Sequence, residues 1–330
     1  GHGEACWSQL AAGTIKRVAQ KTYTVVPNPK FSVSDTEIST RELSAKYLDL
    51  LLEAGANLIG GSADLGKNTG AYVSNSRDIV AGDFSGNYIN YGVREHAMAA
   101  IMNGLSAGGV RAYGSTFLVF SDYMRPAIRV AAMSGFPVIY LFSHDSVAVG
   151  QDGPTHQPVE QLSALRLIPN INVLRPANAT EVVLAWQVAL NDVVRPSAII
   201  LSRQKFLQIA PPSGTDLSYG AYVIRPEKAR RVRLTIIATG TEVALAVAVA
   251  NKIGPSVRVV SMPCVELFRK SSMRFQKDLL RGYVVAIEAG ASAPWFEFAD
   301  AVIGIDKFGA SGDEKSLYSE YGFDADKIIQ

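Results

Sequence analysis

The chain has 330 residues, 48% of them hydrophobic and 19% charged, with a formal net charge of +2. That is long enough for two cores and ordinary for a globular enzyme. Lys and Arg are scattered, so the sequence offers no nucleic-acid face and no charged membrane surface. No run reaches the roughly eighteen apolar residues a transmembrane helix needs.

Cys6 and Cys264 are the two cysteines, far apart and in no metal-ligand spacing, so a reducing, cytoplasmic location is expected. The chain opens on Gly1 with no secretory pattern, and so reads as starting mid-protein or after processing. Residues 1–35 read as a lead-in or linker, because Pro27 and Pro29 break the weak helical pattern before them. Ser39 then caps a helix with Glu42 in its first turn and Leu43, Tyr47, Leu48, Leu51 and Leu52 at helical spacing, ending by Gly55. Strands are expected at 57–62, 88–91 and 111–113, with a helix over 93–107 and a long helix from Phe117 to Met133. The unbroken apolar run from Pro137 to Ser143 predicts a central strand covered on both faces. Helices at 161–166 and 179–191 and strands at 171–174 and 197–201 continue the alternation.

The pattern predicts an α/β fold of two doubly wound domains with mostly parallel sheets, the first over 36–210 and the second over 211–330. The break falls at Pro211-Pro212-Ser213-Gly214. In the second domain, strands are expected at 234–238, 256–260, 283–288 and 302–306 and helices at 242–251 and 272–280. The basic run from Tyr222 to Arg233 reads as a solvated linker or strand entry.

Ligands of open α/β sheets bind at the carboxyl ends of strands. Between Asn87 and His156 several polar groups fall at such ends. Glu95 opens an otherwise apolar helix, where it reads by itself as an acid favoured by the helix dipole. Phe117, Phe120 and Tyr123 have helical spacing, which by itself reads as core. His144 and His156 share one polar loop with Asp152; neutral imidazole can donate and accept, and imidazolium can pair with phosphate. Zinc binding by the pair is not expected, since no third nitrogen or sulfur ligand has suitable spacing.

The motifs Tyr91-Gly92-Val93-Arg94-Glu95-His96, Ser115-Thr116-Phe117 and above all Asp152-Gly153-Pro154-Thr155-His156-Gln157-Pro158-Val159-Glu160-Gln161 resemble transketolase. The resemblance continues through Leu174-Arg175-Pro176-Ala177, Leu201-Ser202-Arg203-Gln204 and Ala238-Thr239-Gly240-Thr241-Glu242, and covers residues 36–330. It implies a pyrimidine-binding domain and a transketolase C-terminal domain. The Gly-Asp-Gly signature of the family's diphosphate-binding domain is absent; Gly82-Asp83-Phe84 fails at its third position. The chain therefore resembles the second half of a transketolase. A separate diphosphate-binding domain or subunit would hold Mg²⁺, no metal site being expected in this chain.

The implied activity is thiamine-diphosphate-dependent transfer of a two-carbon ketol unit between ketose and aldose phosphates, by a homodimer that is inactive without the missing domain. The implied catalytic residues are Glu95, on ring nitrogen 1′ of the aminopyrimidine, and His156. Phe117, Phe120 and Tyr123 join Glu95 in holding the cofactor. Arg41, Ser62, His144, Asp152, His156 and Arg203 are implied in sugar-phosphate binding, arginine's planar fork suiting phosphate oxygens. Gln151 departs from the glutamate common in the family and removes one negative charge beside Asp152. The C-terminal domain is expected to serve packing and dimer contact.

The β-subunit of a 2-oxoacid dehydrogenase shares the two-domain build, but the long Asp152–Gln161 run speaks against it. A non-catalytic dimerising or regulatory fragment would have no need of Glu95, Phe117, Asp152, both histidines and both arginines together.

Overall fold

The computed structural model describes residues 37–330; the expected lead-in over 1–35 lies outside the described residues. Two open sheets follow one another along the chain, one of six strands and one of five.

The first domain runs α1 (Thr40–Glu53), β1 (Leu58–Ser62), α2 (Gly66–Thr69), β2 (Tyr88–Asn90), α3 (Glu95–Ala107), β3 (Arg111–Phe117), α4 (Ser121–Ser134), β4 (Ile139–Ser143), α5 (Gln161–Arg166), β5 (Asn172–Leu174), α6 (Ala179–Asn191) and β6 (Ser197–Leu201). Its strands lie in the order β2-β1-β3-β4-β6-β5, every neighbouring pair parallel. Sequence explains the layering. The buried strand β4 alternates Tyr140 and Phe142 towards α3 and α4 with Ile139 and Leu141 towards α1 and α6, as the period of two requires. Helix α1 starts at a capping box, with the Glu42 backbone N–H donating to Ser39 Oγ and the Ser39 backbone N–H donating to Glu42, which satisfies N-terminal donors that would otherwise be orphaned.

The second domain runs β7 (Tyr222–Arg225), β8 (Leu234–Ala238), α7 (Glu242–Ile253), β9 (Val257–Ser261), α8 (Val265–Lys270), α9 (Met273–Leu279), β10 (Tyr283–Ile287), β11 (Ala301–Ile303), α10 (Glu314–Glu320) and α11 (Ala325–Ile329). Its order is β11-β10-β8-β9-β7. All pairs are parallel except β7 with β9.

Three expectations need correction. Ser115-Thr116-Phe117 belongs to the strand expected to stop at Tyr113, and Phe117 does not start a helix. It is the buried end of β3, paired with β4 out to Phe117–Ser143, and α4 starts only at Ser121, after a 3-10 turn over Leu118–Phe120. The basic run is the expected solvated entry to β8 only from Lys228 on, where Arg230, Arg231 and Arg233 are exposed; its start is the antiparallel edge strand β7, where charged side chains are compatible with an unpaired edge. Helices α8, α10 and α11 lie in stretches where no element was expected.

Candidate active site

Because the first sheet is parallel, the carboxyl ends of its strands share one edge. Ser62 ends β1, Phe117 ends β3, His144 follows β4 and Arg203 follows β6. Glu95 opens the helix that follows β2.

Helix α3 can sit close to the sheet because β3 has Gly114 beneath it. A side chain there would collide with Met102 Sδ, and Met98 and Met102 are fully buried in that layer. This packing fixes the start of α3 and with it Glu95, which is 8% exposed. The Glu95 carboxylate makes no hydrogen bond or ion pair with any described residue. A nearly buried carboxylate usually has a partner inside its own chain. This one has its acceptor capacity open at a helix N-terminus.

An aromatic wall stands on the same edge. The Phe117 ring is 5.8 Å from Phe120 and stacked on it, and Phe120 is 6.0 Å from Tyr123. Both histidines join the wall: His144 lies 3.7 Å from Phe117, and His156 lies 5.4 Å from Phe120, centroid to centroid. These aromatics do not share one helix face; β3, the 3-10 turn and α4 supply one each. Tyr123 is 65% exposed and forms the outer end.

His144 is buried and sits in left-handed backbone, φ 61°. Its Nδ1 lies 2.8 Å from Ser143 Oγ. Burial, reinforced by the nearby Arg41, Arg203 and His156 charges, pushes its imidazole down to about 3. The imidazole is therefore neutral at physiological pH. The same coupling places Arg41 and Arg203 near each other: burial lowers the Arg41 guanidinium, Glu42 opposes this and Arg203 adds to it. Arg41 donates to Asn68 O at 2.7 Å and Arg203 to Val149 O at 3.3 Å. Asp152 is exposed and makes no hydrogen bond or ion pair with any described residue. His156 is half-buried, its Nδ1 3.0 Å from Thr155 Oγ1. Ser62 differs from the others. Its hydroxyl donates to Ser115 O and accepts from the Leu65 N–H, both at 3.0 Å, so it is committed inside the fold.

Behind this edge lies a cluster whose pairings, across the two domains, no local pattern in the sequence announces. Fully buried Arg175 donates to Asp145 Oδ2 from Nε and Nη2, at 3.0 and 2.8 Å, and also to Thr239 and Glu242 of the second domain. Arg166 forms a two-pronged ion pair with Glu288 at 2.7 and 2.9 Å, and Trp295 Nε1 donates to the same carboxylate at 2.7 Å. Burial alone would raise Glu288, but Arg166 and Arg175 hold it down at about 2. Asp145 goes the other way: burial raises it, in spite of Arg175, and Glu242 adds to the rise. Gly240 is required beside this cluster. It has φ +53°, and a Cβ would meet Arg175 Nε at 2.8 Å. The turn Thr239-Gly240 thus closes on an arginine of the other domain.

Residues 36–208 match the transketolase pyrimidine binding domain, and residues 220–324 match the transketolase-like C-terminal domain. The chain belongs to the transketolase family. Among transketolases, that of Sinorhizobium medicae is 42% identical over 305 residues, covering 89% of this chain and 44% of that protein. That of Aquifex aeolicus is 40% identical over 338 residues, covering 97% and 49%. The solved transketolase of Campylobacter jejuni superposes with TM-score 0.89 at 38% identity, over 96% of this chain and 50% of that one. The chain thus spans about half the length of the curated transketolases it matches. A structure described as a split gene transketolase, an inactive beta4 tetramer, is matched over 96% of its length with TM-score 0.71. At 24% identity this is a likeness of fold alone.

No helix among the described residues is long and apolar enough to cross a membrane. Nor does any group of three or more His, Cys, Asp or Glu among them stand ready to hold a metal ion.

Proposed function

We propose that this chain supplies the aminopyrimidine side of a transketolase active site and takes part in two-carbon ketol transfer between ketose and aldose phosphates. The observation that carries this reading is Glu95, a nearly buried carboxylate with no internal partner among the described residues, at the ligand edge of a pyrimidine-binding fold. Such an orphaned acceptor fits ring nitrogen 1′ of thiamine diphosphate, and the Phe117–Phe120 wall suits the flat face of the same ring. When bound, this cofactor supplies an acidic carbon that attacks the ketose carbonyl and carries the transferred unit.

The chain's own residues have distinct duties in this reading. Glu95 holds a proton at nitrogen 1′, in a low-dielectric setting where such a bond is strong. Phe117 and Phe120 orient the ring, with Tyr123 at the rim. His144, neutral, can both donate to and accept from a sugar hydroxyl or carbonyl. His156 donates or accepts a proton beside it as an acid–base group. Asp152 accepts from a hydroxyl farther along the sugar. Arg41 and Arg203 bind the terminal phosphate, and Ser62 holds the turn on which that end of the site is built.

The domains matched are the pyrimidine-binding and C-terminal ones, so the diphosphate and Mg²⁺ would be held by the family's diphosphate-binding domain, whether joined to this chain or separate. A homodimer of such assemblies and a cytoplasmic location are part of the same reading. The test is a ketol-transfer assay with xylulose 5-phosphate, ribose 5-phosphate, thiamine diphosphate and Mg²⁺. The chain is assayed alone and mixed with a diphosphate-binding domain from a relative. Activity only in the mixture supports the reading. A verified complex that is silent refutes it and favours a non-catalytic dimerising role.

A further inference from the structure

The segment from His144 to His156 carries three of the side chains assigned above to the sugar phosphate, yet much of what holds it belongs to the second domain. At its start, Asp145 is tied to Arg175, which is itself fixed by Glu242 and Thr239. One residue on, Ser146 Oγ lies 3.1 Å from the Tyr318 hydroxyl of α10. Val147 is buried in the second domain's core with Val243 and Phe323. Past the middle, the backbone at Gly150 faces Gly312, and Gln157 Nε2 donates both to Gly150 O at 2.8 Å and to Ala310 O at 2.9 Å. Besides Arg175 and Gln157, the first domain gives the segment Arg203, which donates to Val149 O at 3.3 Å.

Tyr318 joins the two ends of this arrangement. Its hydroxyl donates to Glu242 Oε1 at 2.8 Å and also meets Ser146. Glu242 Oε2 accepts from the arginine that holds Asp145. One phenol therefore ties the loop to the acid that anchors its arginine.

We propose that residues 310–320 of the second domain form a clasp that sets the substrate-recognition loop, with Tyr318 as its positioning residue. The clasp rests on the ketol-transfer reading for its consequence in binding, but not for its effect on the loop. It gives the C-terminal domain a duty in sugar-phosphate recognition beyond packing and dimer contact. A loop that carries His144, Asp152 and His156 must hold them within a fraction of an ångström of their productive positions, and ties at both ends achieve this.

The test is amide hydrogen exchange on the full chain. Tyr318→Phe keeps the ring against Phe323, whose centroid lies 5.4 Å away, and removes only the hydroxyl. Ser146→Ala removes the contact from the other side, together with the Ala148 N–H bond that Ser146 Oγ accepts at 3.3 Å, and serves if Tyr318→Phe fails to fold. Peptides spanning 144–157 should exchange about fivefold faster or more, as the loss of a net hydrogen bond implies for local opening. Strands β4 and β6 should not change. Arg258→Gln, which breaks a second-domain pair with Glu227 away from the loop, should leave 144–157 unaffected. In the reconstituted enzyme, Tyr318→Phe should raise KM for the aldose phosphate severalfold, and kcat should fall with it as His156 loses its position. Unchanged exchange over 144–157, a uniform rise across the chain, or an unchanged KM for the aldose phosphate overturns the clasp. If the wild-type mixture is silent while the exchange pattern holds, the ketol-transfer reading fails and the clasp's hold on the loop stands.

Discussion

The ring of Phe117 lies 3.7 Å from that of His144, centroid to centroid and tilted by 30°. Phe117 ends β3 and His144 follows β4, neighbouring parallel strands whose register pairs Phe117 with Ser143. One strand pairing therefore brings the residue assigned to the cofactor ring against one assigned to the sugar. It also buries His144 beneath an aromatic face, which explains why a histidine in a polar loop is neutral.

Phe117→Ala should weaken both binding and folding. Removing the ring strips one wall from the aminopyrimidine position, so the thiamine diphosphate affinity of the assembled enzyme should fall about two- to tenfold, for a stacking loss of roughly 0.5–1.5 kcal/mol. Because the side chain is also buried, a urea melt of the chain should register a loss of about 3 kcal/mol. Tyr123→Ala, at the exposed end of the wall, should change stability by less than about 0.5 kcal/mol.

The neutral His144 makes stability depend on pH. Its folded-state value of about 3 lies below the ordinary 6.5, so the unfolded chain binds the proton more readily. The contribution is fully present above 6.5 and is lost as pH falls from there towards about 3. Between pH 6.5 and 5 it amounts to about 2 kcal/mol. His144→Asn, which suits the left-handed backbone at this position, should flatten that part of the curve. Urea midpoints of the two chains from pH 7.5 to 5 check it, and parallel curves would count against a buried neutral imidazole.

Arg41→Ala and Arg203→Ala should each raise KM for phosphorylated acceptors by about 10- to 100-fold, the value of one charge-assisted contact at roughly 1.5–3 kcal/mol. An unphosphorylated aldose should be affected far less. Equal losses for both acceptors would show that the arginines do not meet the phosphate.

Arg175→Met leaves Asp145 and Glu242 buried without their cation. Breaking a buried pair from one side costs about 3–5 kcal/mol, and a thermal or urea melt should register a loss of that size. Gly240→Ala should also destabilise, since its Cβ would press on Arg175 in left-handed backbone.

Much of this was legible in the sequence because local patterns carried it. The Ser39–Glu42 capping box and the apolar run of β4 state their structure within a few residues. The motif around Asp152–Gln161 identified the loop. Ser115-Thr116-Phe117 misled because Gly114 breaks the strand pattern just before it, while pairing with β4 and burial carry the strand on to Phe117. The commitment of the Ser62 hydroxyl depends on Ser115, 53 positions away, and Arg166 finds Glu288 at a separation of 122. Pairings over such distances leave no periodicity or spacing to read; only the fold brings them together.

In the proposed function Glu95 acts on the cofactor ring. The most direct measurement of this is deuterium exchange at carbon 2 of thiamine diphosphate in the assembled enzyme, followed by NMR after rapid quenching, for the wild type and Glu95→Ala. Proton-transfer assistance of this kind is worth about 10²–10⁴-fold, so the account predicts a slowing of at least that lower value with the complex and cofactor still bound. Equal exchange rates in a verified, cofactor-loaded complex would contradict it.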